Sequence, residues 1–163
     1  MARTTLPTFP LIVFGVIEPA LLTWAYIEGM RDPALYFLKQ VPDSTTTGTG
    51  FSPEALGVTL QLVNVLLLLA PMAVVACFSR DPATAKGYLF AVALADYGHI
   101  YATYRAVGAD VFFNPSRWND MVGANIVSSA VLNVLRLLTL LGVFGPVVAR
   151  DRDAEGGGKK KAL

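Results

Sequence analysis

Glu18, Asp96, His99 and Arg136 are ionisable side chains set inside long apolar runs of this sequence. A charge at the centre of a membrane segment costs roughly 2.5–3.5 kcal/mol on insertion scales, so such residues face the interior of a helix bundle and find partners there. Two acids, one base and one histidine exceed what neutrality needs: once one carboxylate pairs with Arg136, the other is left over. A left-over carboxyl in a low dielectric tends to keep its proton, which is the state a general acid requires. Two carboxyls in different states are an apparatus for proton transfer, one giving and the other taking. The structural alternative is that Asp96 or Glu18 simply neutralises Arg136 while Asn64 and Asn133 act as interhelical glue.

Spacing places these residues on shared faces. Asp96 and His99, Asn133 and Arg136, and Gln61 and Asn64 are each three positions apart, so each pair projects from one side of its helix. The expectation is a polar stripe turned inward on each of three helices, enclosing a polar pocket with Asn125 and Tyr101 toward its mouth. At about 1.5 Å per residue, Glu18, Asp96 and Arg136 fall near the middle of their spans, with Asn64 at a similar level. Pro19 and Pro71 each remove a backbone hydrogen bond, so kinks that widen the pocket are expected at both.

The elements that must carry these residues are membrane helices. The chain of 163 residues is 54% hydrophobic and 15% charged, too apolar for an ordinary water-soluble domain of its length. Roughly 20 apolar residues span the hydrocarbon core. Four segments reach that length: Phe9 to Gly29, Ala55 to Phe78, Ala83 to Tyr104 and Val122 to Ala149. Spanning segments must satisfy their own backbones, so the predicted fold is all-α, an integral membrane four-helix bundle over residues 1–149 with a flexible cytosolic tail over 150–163. Glu18 and Pro19 interrupt the first apolar run, which is read as retained rather than as a cleaved signal.

Orientation follows from basic residues. One side holds Arg3, Arg80, Lys86, Arg150, Arg152, Lys159, Lys160 and Lys161, the other Arg31, Lys39, Arg105 and Arg117. The positive-inside rule places both termini in the cytosol. The ending Lys160-Lys161-Ala162-Leu163 resembles a di-lysine retrieval signal, which predicts a multi-pass protein of the endoplasmic reticulum membrane.

Asp32-Pro33, Ser52-Pro53, Asp81-Pro82 and Asn114-Pro115 each set a capping side chain before a proline, the signature of a helix start. A short surface helix is expected from Pro33 to Gln40, followed by a mobile loop over residues 43–52. Trp24, Tyr26, Tyr101, Tyr104 and Trp118 gather toward the lumenal ends as an aromatic belt. Trp24 and Tyr101 are also candidates for substrate contact, whereas Glu28 reads as a solvated end charge.

Several classes are disfavoured. A net charge of +1 without a concentrated basic face argues against a nucleic-acid partner. The lone Cys77 excludes an internal disulfide and reads as a small hydrophobe. One histidine among scattered carboxylates is a poor metal site, so no metal is expected. No phosphate-cradling glycine loop or other cofactor motif is present, so no cofactor is expected. The expected partners are a lipid-soluble small molecule and membrane lipid, with a homo-oligomer left open.

The stretches "FGVIEPALLTWAYIEG", "ADYGHIYATY" and "LNVLRLL" carry a likeness. Over most of residues 8 to 148 the chain resembles small four-helix membrane proteins of fungal biosynthetic clusters, among them the epoxide hydrolase-cyclases of polyene pyrone pathways of the aurovertin and citreoviridin type. A looser likeness links it to the emopamil-binding family of sterol isomerases, although a second histidine is missing. The first resemblance implies opening of an epoxide by acid–base catalysis. Under it Asp96 is the base, oriented by His99 or Asn64. Glu18 is then the proton donor, and Arg136 holds the two carboxyls in different states. The roles of Glu18 and Asp96 are interchangeable at this level. The alternatives are a double-bond isomerase or terpenoid and sterol cyclase, and a non-enzymatic lipid-binding or assembly subunit.

Overall fold

The computed structural model describes residues 4–42 and 51–149. The loop expected over residues 43–52 falls mostly, and the C-terminal tail with its lysines entirely, outside these residues. The described chain is helical, and four long helices organise it. Helix α1 runs Thr8–Arg31, α2 Pro33–Leu38, α3 Pro53–Cys77, α4 Pro82–Val107, α5 Ala109–Phe112 and α6 Asp120–Leu140.

Three of the four, α1, α3 and α6, are long and apolar enough to cross a membrane. The 26-residue α4 has the length, but Lys86, Asp96, His99 and Arg105 dilute its hydropathy. The helix that carries the chemistry-bearing "ADYGHIYATY" is therefore the least membrane-like, which departs from the expectation of four equivalent apolar spans.

Helix starts follow the capping chemistry. The Asp32 carboxylate accepts from the Leu35 amide at 2.9 Å, and the Ser52 hydroxyl from the Ala55 amide at 3.2 Å. Asp81 accepts from the amides of Ala83 and Thr84 and from the Thr84 hydroxyl, at 3.1, 3.0 and 2.7 Å. The Thr84 hydroxyl and these amides hold the Asp81 carboxyl below the usual aspartate range. Asn114-Pro115 behaves differently: it opens only a 3-10 turn, Pro115–Arg117. The last long helix starts instead at Asp120, capped by Asn119, which accepts from the Val122 amide at 2.9 Å.

At Pro19, where a kink is expected, α1 departs from α geometry in its hydrogen bonding. The turn ahead of it, Val13–Ile17, is a π-helix, and this wider turn accommodates a proline that has no N–H to return. Pro71, in contrast, lies within an uninterrupted α3. Helix α6 ends at Leu140, earlier than the predicted Ala149. The chain turns there at Gly142 and Gly145, whose φ of 79° and 108° favour glycine.

Packing pairs α1 with α3 and α4 with α6, while contacts between the two pairs are sparse. The buried faces are mostly small or polar: Thr59, Ala70, Ala73 and Ala76 on α3 beside Val63, and Ala85, Ala93, Asp96 and Thr103 on α4 beside Leu89. Small residues let helix backbones approach closely. Large apolar side chains point outward instead, with Val58 67%, Val75 72% and Leu94 56% exposed. A water-soluble bundle would reverse this arrangement; lipid accommodates it. One apolar cluster, Leu6, Phe14, Cys77, Leu89 and Val147, closes the end of the bundle where the described chain begins.

Candidate functional site

The centre of the bundle is ionic. Arg136, on α6, is 1% exposed, and its two terminal nitrogens serve different partners. Nη1 donates to Asp96 Oδ2 on α4, and Nη2 to Glu18 Oε1 on α1. Both carboxylates are themselves buried, at 9% and 5% exposure. The guanidinium also stacks over the Phe14 ring, 5.2 Å from its centroid, a cation–π arrangement. Phe14 precedes Glu18 by four residues, so one face of α1 supplies both the ring and the acid.

Local sequence explains the convergence. Glu18 follows the π turn, and Pro19 beyond it frees the carbonyls of that turn from ordinary α pairing. Asn133, one turn before Arg136, donates its amide to the Ala93 carbonyl at 2.7 Å, which fixes α6 against α4 at the level of Asp96.

Among the described residues, three buried side-chain polar atoms have no hydrogen-bond partner: Glu18 Oε2, Arg136 Nε and Tyr88 Oη. Two belong to the triad, and Tyr88 lies within electrostatic range of Glu18, Asp96 and Arg136. Buried groups of this kind are normally satisfied, so a cluster of exceptions calls for an explanation. Tyr88 lines a cavity of about 700 Å³ between α3 and α4, whose walls are otherwise almost wholly apolar.

The structure thus brings Glu18, Asp96, Arg136 and Asn133 together, and it separates the other candidates. Asn64 is exposed, as is Gln61. The buried stripe of α3 runs through Thr59, Val63, Ala70 and Ala73, and neither amide falls on it. His99 is likewise exposed, although it lies within electrostatic range of Asp96. Tyr101 is 57% exposed, and its hydroxyl accepts from Arg105 Nη1 at 3.0 Å.

Asn125 and Trp24 meet elsewhere, in a second cavity of about 610 Å³ bounded by α1, α2 and α6, together with Glu28 and Asp120. There the Asn125 amide donates to Gln40 Oε1 at 3.1 Å. Neither cavity is lined by Glu18, Asp96 or Arg136. The single polar pocket expected inside three inward-turned polar stripes is therefore replaced by a closed ion triad with two cavities beside it.

Sequence reasoning missed Tyr88 and Phe14. The first lies two helical turns before Asp96, and the second one turn before Glu18. Those intervals were the available signals, masked by the many aromatic residues elsewhere in the chain. Among the described residues no three His, Cys, Asp or Glu side chains are grouped to hold a metal. What the arrangement offers chemically is two carboxyl groups sharing one cation, with one carboxylate oxygen free.

No curated protein and no solved structure matches the chain. A family model does match, over residues 3–146, and the chain belongs to that family, described as a domain of unknown function (DUF7704).

Proposed function

We propose that the protein is an integral membrane four-helix bundle with both termini cytosolic, and that its Glu18–Arg136–Asp96 triad performs cofactor-free acid–base chemistry on an apolar, lipid-soluble substrate. The reaction is opening of an epoxide, by water or by a hydroxyl of the same molecule. The observation that carries this reading is the inequality of the triad: two buried carboxylates meet one guanidinium, and Glu18 Oε2 is left without a partner.

The set is neutral when it carries one proton, and it then contains an acid and a base side by side. In the proposed step the carboxylate takes a proton from the nucleophile as its oxygen attacks carbon. The C–O bond of the epoxide breaks, and the acid delivers its proton to the departing oxygen. Arg136 stays paired with both carboxyls and offsets the charge that moves between them. The π turn beside Glu18 fits this reading, because such turns are frequent at functional sites.

Oxygen-18 tests the reaction. Purified protein in lipid nanodiscs is given isoprenoid and polyene epoxides in labelled water, and products are read by mass spectrometry. Label in a diol, or an unlabelled cyclic ether formed by an internal hydroxyl, supports the proposal. Recovery of every epoxide unchanged contradicts it, and a shifted double bond would favour the isomerase alternative.

A second reading is favoured by one observation: contacts between the α1–α3 pair and the α4–α6 pair are sparse, and the triad spans that seam. Under this reading the charges fix which helices pack together, and the protein is a lipid-binding or assembly subunit. Removing one carboxylate then impairs folding rather than turnover.

A further inference from the structure

The cavity of about 610 Å³ bounded by α1, α2 and α6 lies where apolar spans end. Arg31 is the last residue of one candidate crossing and Asp120 the first of another, and both line it. Helix α2 supplies a further wall through Leu35 and Tyr36. Two bonds tie the end of α2 to the start of α6: the Asn119 amide donates to the Lys39 carbonyl at 3.0 Å, and the Asn125 amide to Gln40 Oε1 at 3.1 Å. Their partners are 80 and 85 positions apart, so the tertiary fold shapes this hollow.

Its charges are balanced but unpaired. Glu28 and Asp120 supply two acids, Arg31 and Lys39 two bases. A third acid, Asp32, is already engaged with the Leu35 amide at 2.9 Å. Among the described residues the ion pairs are those of Arg136, so none of these four is paired with another. The cation–π contacts are those of Arg105 and Arg136, so neither base of the cavity covers the ring of Trp24 or Tyr36. An anion entering here meets two acids, and a cation meets two bases. A molecule carrying both signs complements both sets. Trp24, one helical turn before Glu28, adds a ring face for an ammonium group. At the edge of the hydrocarbon core, where headgroups lie, the molecule of that kind is a zwitterionic phospholipid. Its chains can run along Leu21 and Val127, which are exposed and one turn from Trp24 and Ala124 toward the apolar interior of their helices.

We propose that this cavity binds the headgroup of a zwitterionic phospholipid, with the phosphate at Arg31 and Lys39 and the ammonium at Glu28, Asp120 and the Trp24 ring. The site is separate from the triad. It shares with the acid–base reading only the membrane placement of α1 and α6.

Native mass spectrometry of the full chain, released from detergent micelles, reads the lipid that stays bound. The probes are phosphatidylcholine and phosphatidylglycerol with the same dioleoyl chains; the second keeps the phosphate and lacks the ammonium. The wild type should retain phosphatidylcholine in preference by roughly 2- to 5-fold, the contribution of one partly exposed charge contact. Glu28→Gln with Asp120→Asn removes the acids and leaves the bases, so the preference should invert toward phosphatidylglycerol. Arg31→Gln with Lys39→Gln should lower retention of both lipids. All four side chains are exposed, so these variants should fold, and circular dichroism in the same detergent checks that they do.

Equal retention of the two lipids by the wild type, as lipid adhering to any apolar helix face would give, overturns the inference. So does a phosphatidylcholine preference that the Glu28 and Asp120 variant leaves unchanged, because it then arises elsewhere on the protein. Glycerophosphocholine, the same headgroup without chains, should fail to displace the lipid at equal concentration. Displacement would assign the cavity to a free zwitterion and overturn the lipid. The ratio is read without turnover, so it stands or falls independently of whether the triad opens an epoxide.

Discussion

Arg136→Met tests whether three buried charges act as one unit. The substitution removes a guanidinium that is 1% exposed, holds Glu18 and Asp96 through separate nitrogens, and stacks on Phe14 at 5.2 Å. Breaking a buried ion pair by deleting one partner costs about 3–5 kcal/mol, because the remaining charge is stranded. Loss of the desolvated stacking adds up to about 2 kcal/mol. The triple variant Glu18→Gln, Asp96→Asn, Arg136→Met strands nothing, and apolar or neutral replacements of whole buried ion sets are often tolerated. It should therefore recover at least about 2 kcal/mol relative to the single variant. Reversible unfolding by SDS titration in mixed micelles, followed by circular dichroism, measures both. A single variant within about 1 kcal/mol of the wild type would refute the reasoning. A triple variant as unstable as the single would refute it equally.

Other consequences can be checked in the same micelles. Tyr88→Phe removes a buried hydroxyl that has no partner, so stability should stay level or rise by up to about 1 kcal/mol; a clear loss would reveal a bond that the structure lacks. Gly29→Ala should destabilise by about 1–3 kcal/mol, since the new carbon would lie 2.5 Å from Val63 Cγ2. Gly57→Ala, in open space within α3, should be neutral or stabilising by up to about 1 kcal/mol. Asp81 has a carboxyl pKa held low in the folded state by the Thr84 hydroxyl and two amides. Its contribution is thus full above the ordinary aspartate range and is lost as pH falls through the folded value. Asp81→Ala should flatten that acid limb in a pH series of unfolding midpoints.

Much of this architecture is legible in the residue pattern, for identifiable reasons. Caps at Asp32, Ser52 and Asp81 are local, and a side chain followed by proline leaves few other conformations. Glu18, Asp96 and Arg136 can be paired from sequence because an apolar environment leaves charges little choice except one another. Asn64 and His99 were less legible, since spacing of three residues fixes that Asn64 shares a face with Gln61 but not which way the face turns. That choice belongs to Val63, Ala70 and Ala73, whose small, close-packing stripe against α1 turns the amides outward. Tyr88 was hidden for a related reason. A tyrosine near a helix start reads as an interface anchor, and only tertiary packing buries its hydroxyl.

Turnover of an apolar epoxide by Glu18→Gln and Asp96→Asn, each compared with the wild type in nanodiscs alongside its unfolding midpoint, tests the central claim most directly. The account predicts wild-type opening of the epoxide and a fall of at least about 100-fold in each variant with the helical fold retained. A wild type that leaves the epoxide intact, or variants that open it at the wild-type rate, would contradict it.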